Sequence, residues 1–315
     1  MSAYKLLSPE KAAKLLTSLL PSKQRVIPVD SSWYMPNMNR NGKEEYLKGP
    51  RLPNAVYFDI DDIKNHNLPY PHMLPDLQTF NKKMSELGLL PSDILIVYDN
   101  IGNFSSPRCA WTLTTLGHKD VYLLNTFAEY KALNLPLEYN VLLSANRFPK
   151  TNYESVIDHT EEQVVTYEEM ERLFKDHLLK TKYNVYDARS LGRYLGKCPE
   201  PRPNFPSGHI PGTLSLPFTT VVDNKKFNKF DDSKEEIQNK INTFLKENNF
   251  PPYDPTKPTI CMCGTGVSGV IIKTALENSG IKNIKLYDGS WTEWILKHKE
   301  GSKEDQNYIA TGNAN

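Results

Sequence analysis

The 315-residue chain is poor in the features that mark metal, membrane or nucleic-acid proteins. It has four cysteines, Cys109, Cys198, Cys261 and Cys263, and no metal-ligand spacing among them. Cys261 and Cys263 stand too close on one strand for an unstrained disulfide, so the thiols read as free and the compartment as reducing. Charge of one sign is also missing: 38 Lys and Arg against 37 Asp and Glu leave +1. No global field then favours nucleic acid or an anionic bilayer. No apolar run approaches the ~20 residues of a membrane span. The N-terminal residues show no secretory apolar core, and Glu10 speaks against a mitochondrial presequence. Cytoplasm is the expected place of action, with the mitochondrion second. Nothing in the composition asks for a metal or a cofactor.

What is present is organised around residues 259–272. Thr259-Ile260-Cys261-Met262 reads as a buried strand running into Cys263, followed by glycines at 264, 266 and 269 and then a helical run, 270–277, that stops at Gly280. Strand, Gly-rich turn, helix places Cys263 where backbone N–H groups converge at a helix start. Such a nest binds anions and favours a thiolate. A P-loop would need Lys and Ser/Thr after its last glycine, where Val270 and Ile271 stand. A cysteine phosphatase would need Arg at the place of Gly269 to fork onto phosphoryl oxygens. The loop therefore suits a ligand smaller or less charged than a phosphate dianion. The plain alternative for a cysteine at a strand end is a small core residue.

The rest of the chain reads as strands and helices in alternation, an α/β pattern with mostly parallel sheets. Ser8-Pro9 starts a helix whose periodic run is 12–20. Strands are expected at 24–29, 55–60, 94–98 and 121–124, a Pro-rich loop at 68–75, and a helix at 107–116 closed by Gly117. The second half repeats the first. Val185-Tyr186-Asp187 echoes Pro28-Val29-Asp30, and 209–217 echoes 51–58; Pro53 and Pro211 are 158 apart, Gly117 and Gly280 163 apart. Near-constant separation argues for duplication. We expect a first unit at 1–140, a linker at 141–163, a second unit at 164–300 and a frayed polar tail at 301–315. In the first copy Tyr98-Asp99-Asn100 stands where the second has Met262-Cys263-Gly264. Only one copy keeps a thiol.

These tandem units, with Tyr186-Asp187-Ala188-Arg189, Gly208-His209-Ile210-Pro211-Gly212-Thr213, Cys263-Gly264-Thr265-Gly266-Val267-Ser268 and Tyr287-Asp288-Gly289-Ser290-Trp291-Thr292-Glu293-Trp294, resemble the two-domain rhodanese family over nearly the whole chain. The likeness is greatest to the eukaryotic 3-mercaptopyruvate sulfurtransferases, and among them to fungal members linked to tRNA thiolation. It implies tandem rhodanese-like domains, the first lacking the catalytic cysteine. The implied activity moves sulfane sulfur from 3-mercaptopyruvate through a Cys263 persulfide to thiol or protein acceptors and releases pyruvate. Thioredoxin, a cysteine desulfurase and an E1-like rhodanese protein are the implied partners. Thiosulfate:cyanide sulfurtransfer, and a persulfide relay or adaptor in tRNA thiolation, are the alternatives.

The resemblance also implies a site. Arg193 and Arg202 match the arginines that hold the carboxylate and ketone of mercaptopyruvate, for which a forked guanidinium is apt. Thiosulfate-preferring members carry cations in the loop, and Gly264, Thr265, Gly266, Val267 and Ser268 are uncharged. Asp61 and His72 match the partners of the loop hydroxyl, here Thr265 where the family usually has Ser. Ser268 is expected to cap the helix and hydrogen-bond the sulfur. Arg189 reads as a surface charge or a structural ion pair, Cys261 as core, and Cys109 and Cys198 as incidental.

Overall fold

The computed structural model describes residues 4–18, 24–231, 233–300 and 308–312. Two five-stranded parallel sheets carry the chain. The first, ordered β1-β5-β4-β2-β3, is built from Lys5–Leu7 (β1), Val26–Asp30 (β2), Val56–Tyr57 (β3), Ile94–Tyr98 (β4) and Val121–Leu124 (β5). The second, ordered β6-β12-β11-β7-β8, uses Val164–Val165 (β6), Asn184–Asp187 (β7), Leu214–Ser215 (β8), Thr259–Met262 (β11) and Ile284–Tyr287 (β12). An antiparallel pair, Val222–Asp223 (β9) and Lys229–Phe230 (β10), lies apart from both. The two sheet orders are the same topology written twice. In the first copy Asp30 pairs with Tyr57 and Tyr98; in the second, Asp187 pairs with Ser215 and Met262. That register makes Asp99 the counterpart of Cys263.

The central strands form because their residues are apolar on both faces, as a parallel sheet covered by helices requires. Leu95, Ile96, Val97 and Tyr98 are fully buried, as are Cys261 and Met262. Ser8 caps the first helix, Pro9–Thr17, and accepts from the Lys11 N–H; Leu19 and Leu20 of the predicted run lie outside the described residues. The expected strand at 55–60 is shorter. Only Val56 and Tyr57 pair with β2, because the chain turns away after Phe58 donates to the Asp30 carbonyl at 2.8 Å.

The helix after each central loop joins the two halves. Ser106–Thr115 is buried all round, and Ser268–Asn278 is buried from Gly269 to Leu276. They pack on each other, which explains why neither shows a polar face. Tyr4 of the first half adds a hydrogen bond from its buried hydroxyl to Thr274 Oγ1 at 2.6 Å. Each half also lends a loop to the other: residues 72–74 reach over the second sheet, and the β9–β10 hairpin reaches over the first.

The segment 141–163, expected as a linker, packs on the first half: Tyr153 is buried against Phe80 and hydrogen-bonds His118 Nδ1 at 2.7 Å. One expectation needs correction, because the tail is not frayed throughout: Ala310 forms an antiparallel bridge with His209, and Gly312 donates to the Leu195 carbonyl. Residues 301–307 and 313–315 lie outside the described part. Among the described residues no helix is long and apolar enough to cross a membrane.

Candidate active site

Cys263 follows β11 at the carboxyl end of the second sheet, where open α/β sheets gather their ligands. Its own N–H donates to Ser290 Oγ at 3.1 Å, while its carbonyl and that of Gly264 accept from Trp291 and Thr292, each at 3.0 Å. These bonds turn the loop carbonyls toward the helix Ser290–Glu300. No described group accepts from the N–H of Gly264, Thr265, Gly266, Val267, Ser268 or Gly269. The loop is an open cradle of donors.

The first copy shows what such a cradle holds. Asp99, in the place of Cys263, turns its carboxylate into its own loop. Its Oδ1 accepts from Ile101 and Gly102 at 2.9 and 2.7 Å, and its Oδ2 from Phe104, Ser105 and Ser106 at 2.9, 3.0 and 2.8 Å. Five N–H groups on one carboxylate make an anion site that is already filled. Above it, Gly102 lies so close to the Phe227 carbonyl of the β9–β10 hairpin that a Cβ would stand 2.0 Å from it. The same architecture thus appears once closed and once open.

Asp61 and His72 come from the other half of the chain. His72 Nδ1 lies 3.0 Å from Thr265 Oγ1, and its Nε2 lies 3.0 Å from Asp61 Oδ1. Burial pushes the His72 pKa below its ordinary value; Asp61 opposes this, while Arg108 and Arg202 add to it. Burial alone would raise Asp61, but the His72 hydrogen bond and charge, with the Trp33 N–H, leave it lowered overall. Asp61 is then an acceptor, so a neutral His72 carries its proton on Nε2 and leaves Nδ1 to accept from the Thr265 hydroxyl. At neutral pH the His72–Asp61 contact is a hydrogen bond rather than an ion pair.

Trp33 was not visible as a site residue. Its Nε1 donates to Asp61 Oδ2 at 2.8 Å, and its ring meets His72 edge-on at 4.8 Å. Asp61 has a side chain 57% exposed and needs this second anchor to face a histidine that is 1% exposed. Also unforeseen was the clamp that delivers the His72 loop. Arg108 pairs with Asp288 in a fully buried contact and donates to the carbonyls of Gly266 and His72; Asp288 Oδ2 accepts from Leu74 N at 2.7 Å. Gly266 has a φ of +75°, and a Cβ there would meet Arg108 Nη1 at 2.7 Å. Only glycine fits this place.

The arginines divide their work. Arg189 is not at the surface: it is buried, ion-paired with Asp187 and Glu200, and its guanidinium lies 4.4 Å over the Trp291 ring. Glu200 also takes Arg193 in a two-pronged pair, which sets Arg193 Nη2 3.3 Å from where a Gly264 Cβ would be. Arg202 is half-buried and has no hydrogen-bond or ion-pair partner among the described residues. Burial lowers its pKa, while the charges of Cys263, Asp61 and Glu200 favour its cation and Arg193 opposes it. Its guanidinium is left free for a ligand while feeling the charge of the thiol.

Other expectations fall outside this constellation. Val267, rather than Ser268, occupies the helix cap position, and no side chain caps it; the Val267 side chain is buried. Cys261 is fully buried and its thiol is held protonated by that burial. Cys109 is core, and Cys198 is exposed, its sulfur against Gly192.

The Rhodanese-like domain model matches residues 40–130 and 166–297. The chain belongs to the rhodanese family. It is 48% identical to the thiosulfate sulfurtransferase TUM1 of Saccharomyces cerevisiae, over 94% of this chain and 96% of that protein. It is 36% identical to the 3-mercaptopyruvate sulfurtransferase of Escherichia coli K12, over 81% of this chain and 84% of that one. The crystal structure of Tum1 from Saccharomyces cerevisiae superposes with a TM-score of 0.91 at 46% identity and covers 99% of both chains. This rhodanese-family protein is a sulfurtransferase with two rhodanese domains.

Proposed function

We propose that this sulfurtransferase takes sulfur from 3-mercaptopyruvate, carries it as a Cys263 persulfide and passes it to a second thiol. The observation that carries the reading is the open N–H cradle at Cys263 beside its closed copy, in which Asp99 supplies the anion. The Cys263 thiolate attacks the donor sulfur and the S–S bond forms as the C–S bond breaks. The electron pair goes to the methylene as pyruvate enolate. A proton then reaches that carbon while the persulfide loses one, so the net transfer is one sulfur atom out and one proton back. We assign that transfer to the Thr265 hydroxyl, a reading supported by its hydrogen bond to His72. Loop N–H groups stabilise the anionic sulfur throughout.

Donor choice rests on charge. The loop 264–268 has none, and Arg202 feels the Cys263 charge yet forms no hydrogen bond or ion pair among the described residues, so an α-keto carboxylate is the donor we assign to it. Thiosulfate is the second reading, supported by the designation of the relative at 48% identity. Side-by-side steady-state assays test the choice. Mercaptopyruvate should give the higher kcat/KM, and Arg202→Ala should lose roughly tenfold to a hundredfold with it, as charged hydrogen bonds of ~1.5–3 kcal/mol imply. Arg193→Ala should lose less, because Glu200 already engages that guanidinium. A preference for thiosulfate together with near-normal mercaptopyruvate turnover by Arg202→Ala would overturn the assignment.

A further inference from the structure

We propose that residues 308–312 are a strap that positions the donor-binding loop, so that donor affinity depends on a segment beyond the matched rhodanese domains. The loop 196–208 leaves the short helix Leu191–Tyr194 and carries Glu200 and Arg202. Both its ends are tied to the strap. On the outgoing side Gly312 N donates to the Leu195 carbonyl at 2.9 Å; on the returning side Ala310 and His209 exchange hydrogen bonds at 2.8 and 2.9 Å. The strap is held in turn by the last helix: Trp294 Nε1 donates to the Tyr308 carbonyl at 2.9 Å, and the Tyr308 ring stacks on His298 at 4.5 Å.

The loop's own sequence makes room for this contact. It begins at Gly196 and ends at Gly208, with φ of +74° and +130°. A Cβ on Gly196 would meet Thr311 Cγ2 at 2.7 Å, and one on Gly208 would meet the Ala310 carbonyl at 2.6 Å. Two glycines are therefore needed where the strap crosses, for space as well as for backbone angle. From Gly208 the path to the site is short. Its carbonyl accepts from Arg189 Nη2 at 2.7 Å, its N–H donates to the Arg193 carbonyl at 2.9 Å, and Arg189 shares Glu200 with Arg193. Removing the strap unties both loop ends and leaves the loop held by the Gly208–Arg193 bond, the N–H groups of Lys197 and Cys198 on the Gly192 carbonyl, the Trp291 indole N–H on the Pro206 carbonyl, the Ser207 hydroxyl on the Cys198 carbonyl, and Glu200 on Arg189 and Arg193.

The effect on donor binding rests on the reading of Arg193 and Arg202 given above, and the test separates the two. A chain ending at Asn307, and a full-length Ala310→Pro chain that loses one strap donor, are compared with wild type. Tryptic cleavage at Lys197 in the native protein reports the loop; KM and kcat with 3-mercaptopyruvate report the site. We expect cleavage at Lys197 and KM each to rise about tenfold in the shortened chain, with kcat within about twofold, and smaller changes of the same sign in Ala310→Pro. Unchanged cleavage and KM in a folded Ala310→Pro chain, or cleavage rising equally at lysines remote from the loop, would overturn the strap. Faster cleavage at Lys197 with KM unchanged would overturn the dependence of donor affinity on the strap, whereas a wild-type KM in Arg202→Ala would remove the donor role of that arginine instead.

Discussion

Arg108→Met is the substitution that tests whether the two halves make one site. Arg108 and Asp288 are 2% and 3% exposed and lie on opposite halves of the chain. Met keeps the bulk and removes the charge, so Asp288 is left buried with the Leu74 N–H as a remaining donor. Breaking a buried pair from one side costs about 3–5 kcal/mol, most of it the stranded charge. In a protein of this size that is a fall of roughly 5–8 °C in the unfolding midpoint, read by scanning fluorimetry. Turnover should fall too, because the His72 carbonyl loses the Arg108 donor and the imidazole loses its fixed place against Thr265. Adding Asp288→Asn removes the stranded charge and should recover part of the stability. It should recover none of the activity, since nothing then holds the His72 carbonyl. A midpoint within about 1 °C of wild type, or a double variant no more stable than Arg108→Met, would refute the clamp.

Two further tests follow. Cys263→Ser should abolish transfer from either donor and the mass gain of one sulfur atom on donor treatment, whereas Cys261→Ala should keep most activity because that thiol is buried and protonated; a live Cys263→Ser chain would place the nucleophile elsewhere. His72 should titrate, by NMR, below its ordinary value of about 6.5. Asp61→Asn should move that midpoint further down and Arg202→Ala move it up, since one neighbour favours the imidazolium and the other opposes it. Because folding depresses this pKa, the stability it contributes is present above about pH 6.5 and is lost as pH falls, the unfolded chain taking the proton first. Shifts of the same sign in both variants would count against the placement of Arg202 beside His72.

Much of the frame was legible because its signal is local. Ile94–Tyr98 and Thr259–Met262 are short apolar runs bounded by polar residues, and the same residues pair as strands. The duplication was legible because the pairing ladders keep the spacing of the two halves. The helix Lys234–Glu247 is equally legible: Ser233 caps it and Ile237, Ile241 and Leu245 line one buried face among polar neighbours. What could not be read was every contact made by residues far apart in the chain. Arg108 and Asp288 are each unremarkable in sequence, and so are Trp33 and Glu200. The strap looked like a polar tail because its bonds are made by backbone, which composition does not report.

Asp99 is the residue whose meaning changes most between sequence and structure. In the sequence it marks a missing cysteine. In the fold it is a carboxylate bound by five N–H groups at the start of a buried helix, with a hairpin from the other half over it. A duplicated loop that had merely lost its nucleophile would keep inward-facing donors with nothing to satisfy them, each at a cost of about 1–3 kcal/mol when buried. Asp99 removes that cost and lets the first half serve as a rigid support for Trp33, Asp61, His72 and Arg108. The second half leaves the same donors unmet, and keeps them so by tying the loop carbonyls to the next helix and the loop's Gly266 to Arg108. The open copy, which carries Cys263, is thus held open in part by its neighbour, through contacts that the closed half supplies.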